Sequence, residues 1–291
     1  MKNPFCLTAV YKTFEGGKLK ADIRVPYPKE GKPFGVKCPV FIDIPSEAGL
    51  GGSYSIINRK HSEDLVHARR CVVVSPEYRS LDGASSLKLP IQDCRDLLAW
   101  VYNGGLQQAL EAEHPGLYPV DSDRVYASGV SYGGLLALSL GWDVPRPVAG
   151  ILDIAGPCHF SDDQWKASQG TTSSLAAQQK HSDPKSLGLD AAPGSSIFDV
   201  TLPEDENVIS EVDPIMHVHS SFPPVFIVHG TSDEMVPIGL SRNLLARLKE
   251  QGVRCETAEV EGAGHLFASV LRDSPEATQQ VSRGVDFLTS A

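Results

Sequence analysis

Gly129-Val130-Ser131-Tyr132-Gly133 stands where an apolar strand, Val125 to Ser128, gives way to an apolar helix, Leu135 to Leu140. A serine hydroxyl becomes a useful nucleophile only when a base takes its proton and the charge it creates is stabilised. A sharp strand-to-helix turn supplies the setting. Its central residue is held in a strained conformation, and glycines two positions either side let neighbouring segments come close. Ser131 then projects clear of the sheet edge, and the start of the helix aims free N–H groups at the same spot. That makes the Tyr132 N–H a candidate oxyanion donor. The pentapeptide alone is short enough to arise by chance, and a turn serine without chemistry fits it too.

The base and its partner must come from other loops at strand ends. After the apolar run Val225 to Val228 comes His229-Gly230-Thr231-Ser232-Asp233-Glu234-Met235-Val236-Pro237, an acidic loop leading into a helix. After Glu256 to Val260 comes Glu261-Gly262-Ala263-Gly264-His265-Leu266-Phe267. His265, behind a flexible Gly-Ala-Gly, is the candidate base. Asp233 is the candidate acid that fixes its tautomer, with Glu234 the alternative and a helix-approach cap the non-catalytic reading of Asp233. His229, at a strand end, reads as an anchor of the acid loop. His159, His217 and His219 lack metal-ligand spacing, so neither a metal nor another cofactor is expected.

These loops need strands to carry them. The first forty residues read as an antiparallel hairpin, Leu7 to Phe14 and Leu19 to Val25 around Glu15-Gly16-Gly17. Short apolar runs then recur at Val40 to Ile44, Cys71 to Ser75, Val125 to Ser128, Ala149 to Ala155, Val225 to Val228 and Glu256 to Val260. Helical periodicity between most of them marks βαβ units and a mostly parallel sheet. Leu87, Ile91, Cys94, Leu98 and Val101 form one stripe; Leu240, Leu244, Leu245 and Leu248 follow Pro237; Val281, Val285 and Leu288 follow Ser274-Pro275. One stretch, 161–210, has no clear strand and is rich in Ser, Gln, Asp and Ala. So long a connection inside a compact domain is read as a lid or cap insertion, with a helix over Gln164 to Lys180; a surface insertion without fixed structure is the alternative.

The 291 residues fit one large α/β domain, and 41% hydrophobic with 21% charged residues is ordinary globular composition. A formal net charge of -10 with only isolated basic pieces argues against a nucleic-acid surface. No apolar run is long enough for a membrane span, and residues 1–6 carry no apolar signal core, so a cytoplasmic location is expected. The six cysteines are scattered and read as reduced thiols. Cys158, just beyond the strand Ala149 to Ala155, is either a small buried residue or part of a pocket wall.

The order Ser131, Asp233, His265 resembles that of the α/β-hydrolase fold. His229-Gly230-x-x-Asp233-x-x-Val236-Pro237 resembles the acid loop of esterases, lipases and prolyl-oligopeptidase-like hydrolases, and Gly262-Ala263-Gly264-His265 resembles their histidine loop. Val72-Val73-Val74-Ser75-Pro76-Glu77-Tyr78-Arg79 and Leu89-Pro90-Ile91-Gln92-Asp93 are similar to segments that precede the nucleophile strand in that family. The likeness runs from about Lys20 to Phe287, the insertion excepted. It implies a mostly parallel central sheet flanked by helices, a Ser-His-Asp triad, and a small or medium-sized ester as substrate. The second oxyanion donor would be the N–H of Ser46 or Glu47, although Pro45-Ser46-Glu47 stands where the esterase and lipase branch carries His-Gly-Gly-Gly. Tyr78, Cys158 and Leu266 are the candidate substrate contacts. Two alternatives remain: C–C cleavage, elimination or cyclisation on a natural product with the same triad, and a ligand receptor built on the fold.

Overall fold

The computed structural model describes residues 6–27, 35–46, 59–79, 87–168, 206–265 and 274–290, without the side chains of 59–62. Eight strands form one sheet: β1 Cys6–Phe14, β2 Gly17–Arg24, β3 Cys38–Ile44, β4 Val72–Pro76, β5 Val120–Val130, β6 Gly150–Ile154, β7 Val225–Gly230 and β8 Cys255–Val260. Their order is β1-β2-β4-β3-β5-β6-β7-β8. The expected hairpin is antiparallel, and β2 joins β4 antiparallel, whereas all remaining neighbours are parallel.

Helices connect or close these strands: α1 Arg59–His67, α2 Lys88–Tyr102, α3 Gly105–Glu113, α4 Tyr132–Leu138, α5 Glu206–Val212, α6 Ile238–Glu250 and α7 Pro275–Thr289. Because strand side chains alternate, each apolar strand feeds two cores. Ile42, Ala127, Ile151 and Ile227 pack with α2, α4 and α6, while Phe41, Tyr126, Leu152 and Phe226 pack with α1 and α7. The predicted stripes of α2 and α7 are buried as expected, and so are Leu240, Leu244 and Leu248 of α6.

Three helices depart from the sequence reading. In α3 only Leu106 and Leu110 are buried, too narrow a stripe to register as a period. The seven-residue α5 buries Val212 alone. The basic and polar Arg59–His67 carries α1 although no stripe marked it. The helix read as Leu135 to Leu140 starts earlier, at Tyr132, and ends at Leu138 in a 3-10 turn, Ser139–Gly141. Residues 163–168 are helical where the Gln164 to Lys180 helix was expected, and the rest of that expectation lies outside the described residues.

Buried carboxylates tie distant segments. Asp93 on α2 accepts both Arg79 guanidinium nitrogens (Nε 2.8 Å, Nη2 2.7 Å), the Arg79 N–H and Lys12 Nζ. Burial opposes its charge, but the Arg79 and Lys12 bonds win and hold its carboxyl below the ordinary range. Asp213, at 1% exposure, accepts the backbone N–H of His159 and of Phe160, both at 2.7 Å, and of Ile215 at 3.3 Å. One side chain thereby joins the chain before residue 161 to the chain after 210.

Asp153 on β6 is different. It is wholly buried, its Oδ1 accepts the Gly156 N–H at 3.0 Å, and its Oδ2 has no partner among the described residues. Burial pushes this carboxyl up to about 6, against the pull of His229 and the Gly156 N–H. Its native pKa lies above its unfolded value, so the unfolded chain binds fewer protons between the two, and stability falls as pH rises through that window. A shift of roughly two units corresponds to about 3 kcal/mol once Asp153 is ionised. Asp153→Asn keeps the acceptor for Gly156 without the charge, so it is expected to raise the melting temperature at pH 8 by several degrees and to add nothing at pH 4. An equal change at both pH values, measured by calorimetry, contradicts this account.

Candidate active site

Ser131 sits between the last residue of β5 and the first of α4 with φ 54° and ψ -123°, a conformation that L side chains rarely adopt. The flanking glycines make it possible. A Cβ on Gly129 would lie 2.1 Å from the Gly133 carbonyl oxygen, and one on Gly133 would lie 2.2 Å from the Ile44 carbonyl oxygen. The Ser131 N–H donates to the Ile154 carbonyl at 2.7 Å, and its own carbonyl accepts the Gly134 N–H at 2.8 Å, so the turn is held on both sides. Tyr132 is the first residue of α4, and the first N–H of a helix has no acceptor within it.

The three candidate catalytic side chains meet in one line. His265 Nε2 lies 2.8 Å from Ser131 Oγ, and His265 Nδ1 lies 2.7 Å from Asp233 Oδ2. An ionised carboxylate only accepts, so Nδ1 carries the imidazole hydrogen and Nε2 accepts the Ser131 hydroxyl. Asp233, not the exposed Glu234, makes this contact. Burial pushes the Asp233 carboxyl up, but the bonds from His229 and His265 outweigh it and hold this group far below the ordinary carboxylate range.

Strapping between the two loops creates the encounter. The Ser232 N–H donates to the Ala263 carbonyl at 2.9 Å, the Gly262 N–H donates to Thr231 Oγ1 at 2.8 Å, and the Thr231 N–H donates to the Val260 carbonyl at 3.0 Å. Gly230 permits the approach, since a Cβ there would lie 2.2 Å from the Ala263 carbonyl oxygen. Inside the acid loop, Asp233 Oδ1 accepts the N–H groups of Met235 (2.9 Å) and Val236 (2.8 Å). His229, at 0% exposure, contacts Ser241 Oγ through Nδ1 at 2.7 Å and the Val236 carbonyl through Nε2 at 2.8 Å, with Asp233 Oδ2 at 3.2 Å from the same nitrogen.

Two candidate substrate contacts are corrected. Tyr78 is 1% exposed and donates its hydroxyl to the Pro45 carbonyl at 2.6 Å, its ring packed beside that of Tyr132. It offers no surface to a ligand and holds the start of the candidate oxyanion loop. Cys158 is fully buried, with its thiol on the Leu240 carbonyl at 3.6 Å, so it joins the segment after β6 to α6 and lines no open wall. Burial raises that thiol well above its usual value, which leaves it unreactive. Ser46 is half-buried beside Pro45. Glu47 and Leu266 lie outside the described residues. The Asp213 clasp escaped sequence reasoning, and so did Ser241 as the partner of His229, whose place at the end of an apolar run had marked it as an anchor of the acid loop. Among the described residues no cluster of His, Cys, Asp and Glu could hold a metal ion, and no helix is long and apolar enough to cross a membrane.

Comparison with known proteins places this geometry. The chain is similar to the non-reducing polyketide synthase ausA of Aspergillus calidoustus, 26% identical over 352 residues, and to the non-reducing polyketide synthase Preu6 of Preussia isomera, 26% identical over 333 residues. Each match covers 97% of this chain but only 14% of the synthase. Among solved structures it resembles an esterase of Thermogutta terrifontis with propionate bound, at a TM-score of 0.67 and 22% identity, covering 99% of this chain and 94% of the other. The same esterase phosphonylated by sarin gives a TM-score of 0.68 at 22% identity, covering 99% and 95%. The BD-FAE family model matches residues 50–248. That span is more than half of the chain and includes Ser131 and Asp233, and with the sheet order above it means that the protein has the α/β-hydrolase fold and belongs to the BD-FAE family.

Proposed function

We propose that the protein is a serine hydrolase that cleaves the carboxylic ester of a small or medium-sized organic substrate. The observation that carries this reading is the unbroken line from Ser131 Oγ through His265 to Asp233 Oδ2. His265 Nε2 takes the hydroxyl proton as Ser131 Oγ attacks the ester carbonyl. The oxyanion forms against the Tyr132 N–H and an N–H from Ser46 or Glu47. When the tetrahedral adduct collapses, the C–O bond to the alcohol breaks and the alcohol leaves with the proton from His265. Water then attacks the acyl-enzyme, giving its proton to His265, and the acid departs as Ser131 regains its hydrogen. Asp233 stays ionised throughout, because its depressed pKa leaves it charged at any pH where an ester hydrolase works. The esterase structures that share this fold support the reading.

A second reading keeps the triad and changes the bond: C–C cleavage, elimination or cyclisation on a natural product. It is favoured by the polyketide synthases that match 97% of this chain. In either reading Asp213 ties the chain before residue 161 to the chain after 210, at the two ends of the segment read from sequence as a lid.

Ser131→Ala is expected to lower p-nitrophenyl ester turnover by about 10⁴-fold or more and to abolish covalent labelling by a fluorophosphonate. Labelling that persists in this variant removes Ser131 from the mechanism. Wild type that is inert on short-chain esters yet converts a polyketide-like substrate in a Ser131-dependent way selects the second reading. Asp213→Ala strands three N–H groups at the insertion base; it is expected to shift the preferred acyl chain length while a small fluorophosphonate still labels Ser131. An unchanged chain-length profile would separate the insertion from substrate choice.

A further inference from the structure

We infer that His229 is a positioning residue for the triad acid: it is a second imidazole donor on Asp233 Oδ2, and it governs how firmly that carboxylate holds His265. The inference rests on the serine-hydrolase reading above.

The neighbours of the His229 ring decide which nitrogen carries hydrogen. His229 is completely buried at the end of β7. Its Nε2 faces the Val236 carbonyl at 2.8 Å and Asp233 Oδ2 at 3.2 Å, and both are acceptors only. Nε2 must therefore be the N–H. In the neutral imidazole Nδ1 is then the lone-pair nitrogen, which accepts the Ser241 hydroxyl at 2.7 Å. Ser241, in the first turn of α6, is itself 3% exposed, so the tautomer is locked by a neighbour that has no water to turn to.

The result is a shared oxygen. Asp233 Oδ1 is occupied by the Met235 and Val236 N–H groups, whereas Oδ2 faces two imidazole N–H groups, His265 at 2.7 Å and His229 at 3.2 Å. A histidine that served only to strap the loop would need the Val236 carbonyl alone. Placing Nε2 between that carbonyl and the carboxylate disperses the Asp233 charge and stops the carboxylate from turning away from His265. Other ionisable groups face His229 as well: Asp153 on β6, one strand over on the same sheet face, and Glu259, directly opposite it in β8.

Removing the second donor concentrates the charge on the remaining bond. The imidazolium form of His265 is then stabilised in the resting enzyme, and the acid limb of the activity profile moves to higher pH. The carboxylate also gains freedom to rotate, and misplacement of a catalytic group lowers kcat.

The decisive comparison uses two amides of different reach in the full chain. His229→Asn can satisfy Ser241 but has no atom that reaches Asp233, while His229→Gln places an N–H where Nε2 was. The Asn variant is expected to lose about tenfold in kcat on a p-nitrophenyl ester with KM little changed, to move its acid limb upward, and to shift the low-field proton resonance of His265 Nδ1–H. The Gln variant is expected to recover most of the loss. An Asn variant with wild-type kcat and pH profile, or a Gln variant no better than Asn at equal melting temperature, overturns the inference. Wild type provides a test without substitution. Imidazole ¹⁵N spectra should find His229 as the Nε2–H tautomer, with Nε2 moving when Ser131 is phosphonylated; a His229 signal indifferent to phosphonylation overturns the inference whatever the variants do. A wild-type enzyme that takes up no fluorophosphonate at Ser131 instead refutes the serine-hydrolase reading, so the two failures are distinct.

Discussion

The strained backbone at Ser131 is the constraint on which the rest of the site depends. A non-glycine residue at φ 54° and ψ -123° costs on the order of 1–3 kcal/mol and persists only when its surroundings over-determine it. Here they do. The Ile154 carbonyl takes the Ser131 N–H, the Gly134 N–H takes its carbonyl, and α4 is pressed so close that Gly133 almost touches the Ile44 carbonyl. The same closeness leaves β3, β5 and β6 side by side at the point where the hydroxyl emerges. A central parallel sheet, with helices covering both faces, is rigid enough to hold that strain without relaxing it.

Two further strand ends bring the base to the serine. β7 and β8 pair in register up to Gly230 and Val260, so their following loops leave the sheet together. The loop-to-loop bonds at Ser232, Thr231 and Gly262 then convert two flexible turns into one unit. Neither loop has much apolar side chain to bury, so backbone hydrogen bonding and glycine packing carry its geometry. Hydrophobic burial comes from Val236 near the end of the acid loop and, one layer below, from Val228 and Leu240.

Sequence alone revealed the sheet and pointed to the three side chains that meet at the strand ends, because both leave local marks: apolar runs at strand length, and glycines beside Ser131 and His265. Burial of single polar residues leaves no such mark. Tyr78 and Cys158 read as pocket residues because they follow strands, yet whether a side chain after a strand faces solvent or a neighbouring loop depends on what packs there. For Tyr78 that neighbour is Pro45, thirty-three residues away, and for Cys158 it is Leu240, eighty-two away. The short helices α3 and α5 escaped for a related reason, since tertiary contacts through one or two residues sustain them without a sequence period. The choice between Asp233 and Glu234 likewise needed three dimensions: adjacent residues on a loop point in different directions, and only Asp233 turns inward.

The buried carboxylates show how one residue type separates into structural and chemical uses. Asp93 and Asp213 each gather at least three donors and connect segments far apart in sequence, so their charge is spent on holding the chain. Asp233 accepts three hydrogen bonds, from the Met235 and Val236 N–H groups and from His265, and lies 3.2 Å from His229 Nε2, so two of its neighbours are imidazoles that can themselves carry charge. That difference is chemical. A carboxylate bonded to backbone N–H groups and guanidinium has partners whose protonation never changes, and its role is static. In the proposed hydrolase mechanism, one that faces His265 meets a partner that alternates between neutral and cationic during turnover, and it needs fixed donors on its other lone pairs so that only the His265 bond responds. The Met235 and Val236 N–H groups meet that need on Oδ1, and His229, locked by Ser241, meets it on Oδ2. Asp153, with one donor and an oxygen that has no partner among the described residues, lies at the opposite extreme, where the cost of ionisation falls on the fold itself.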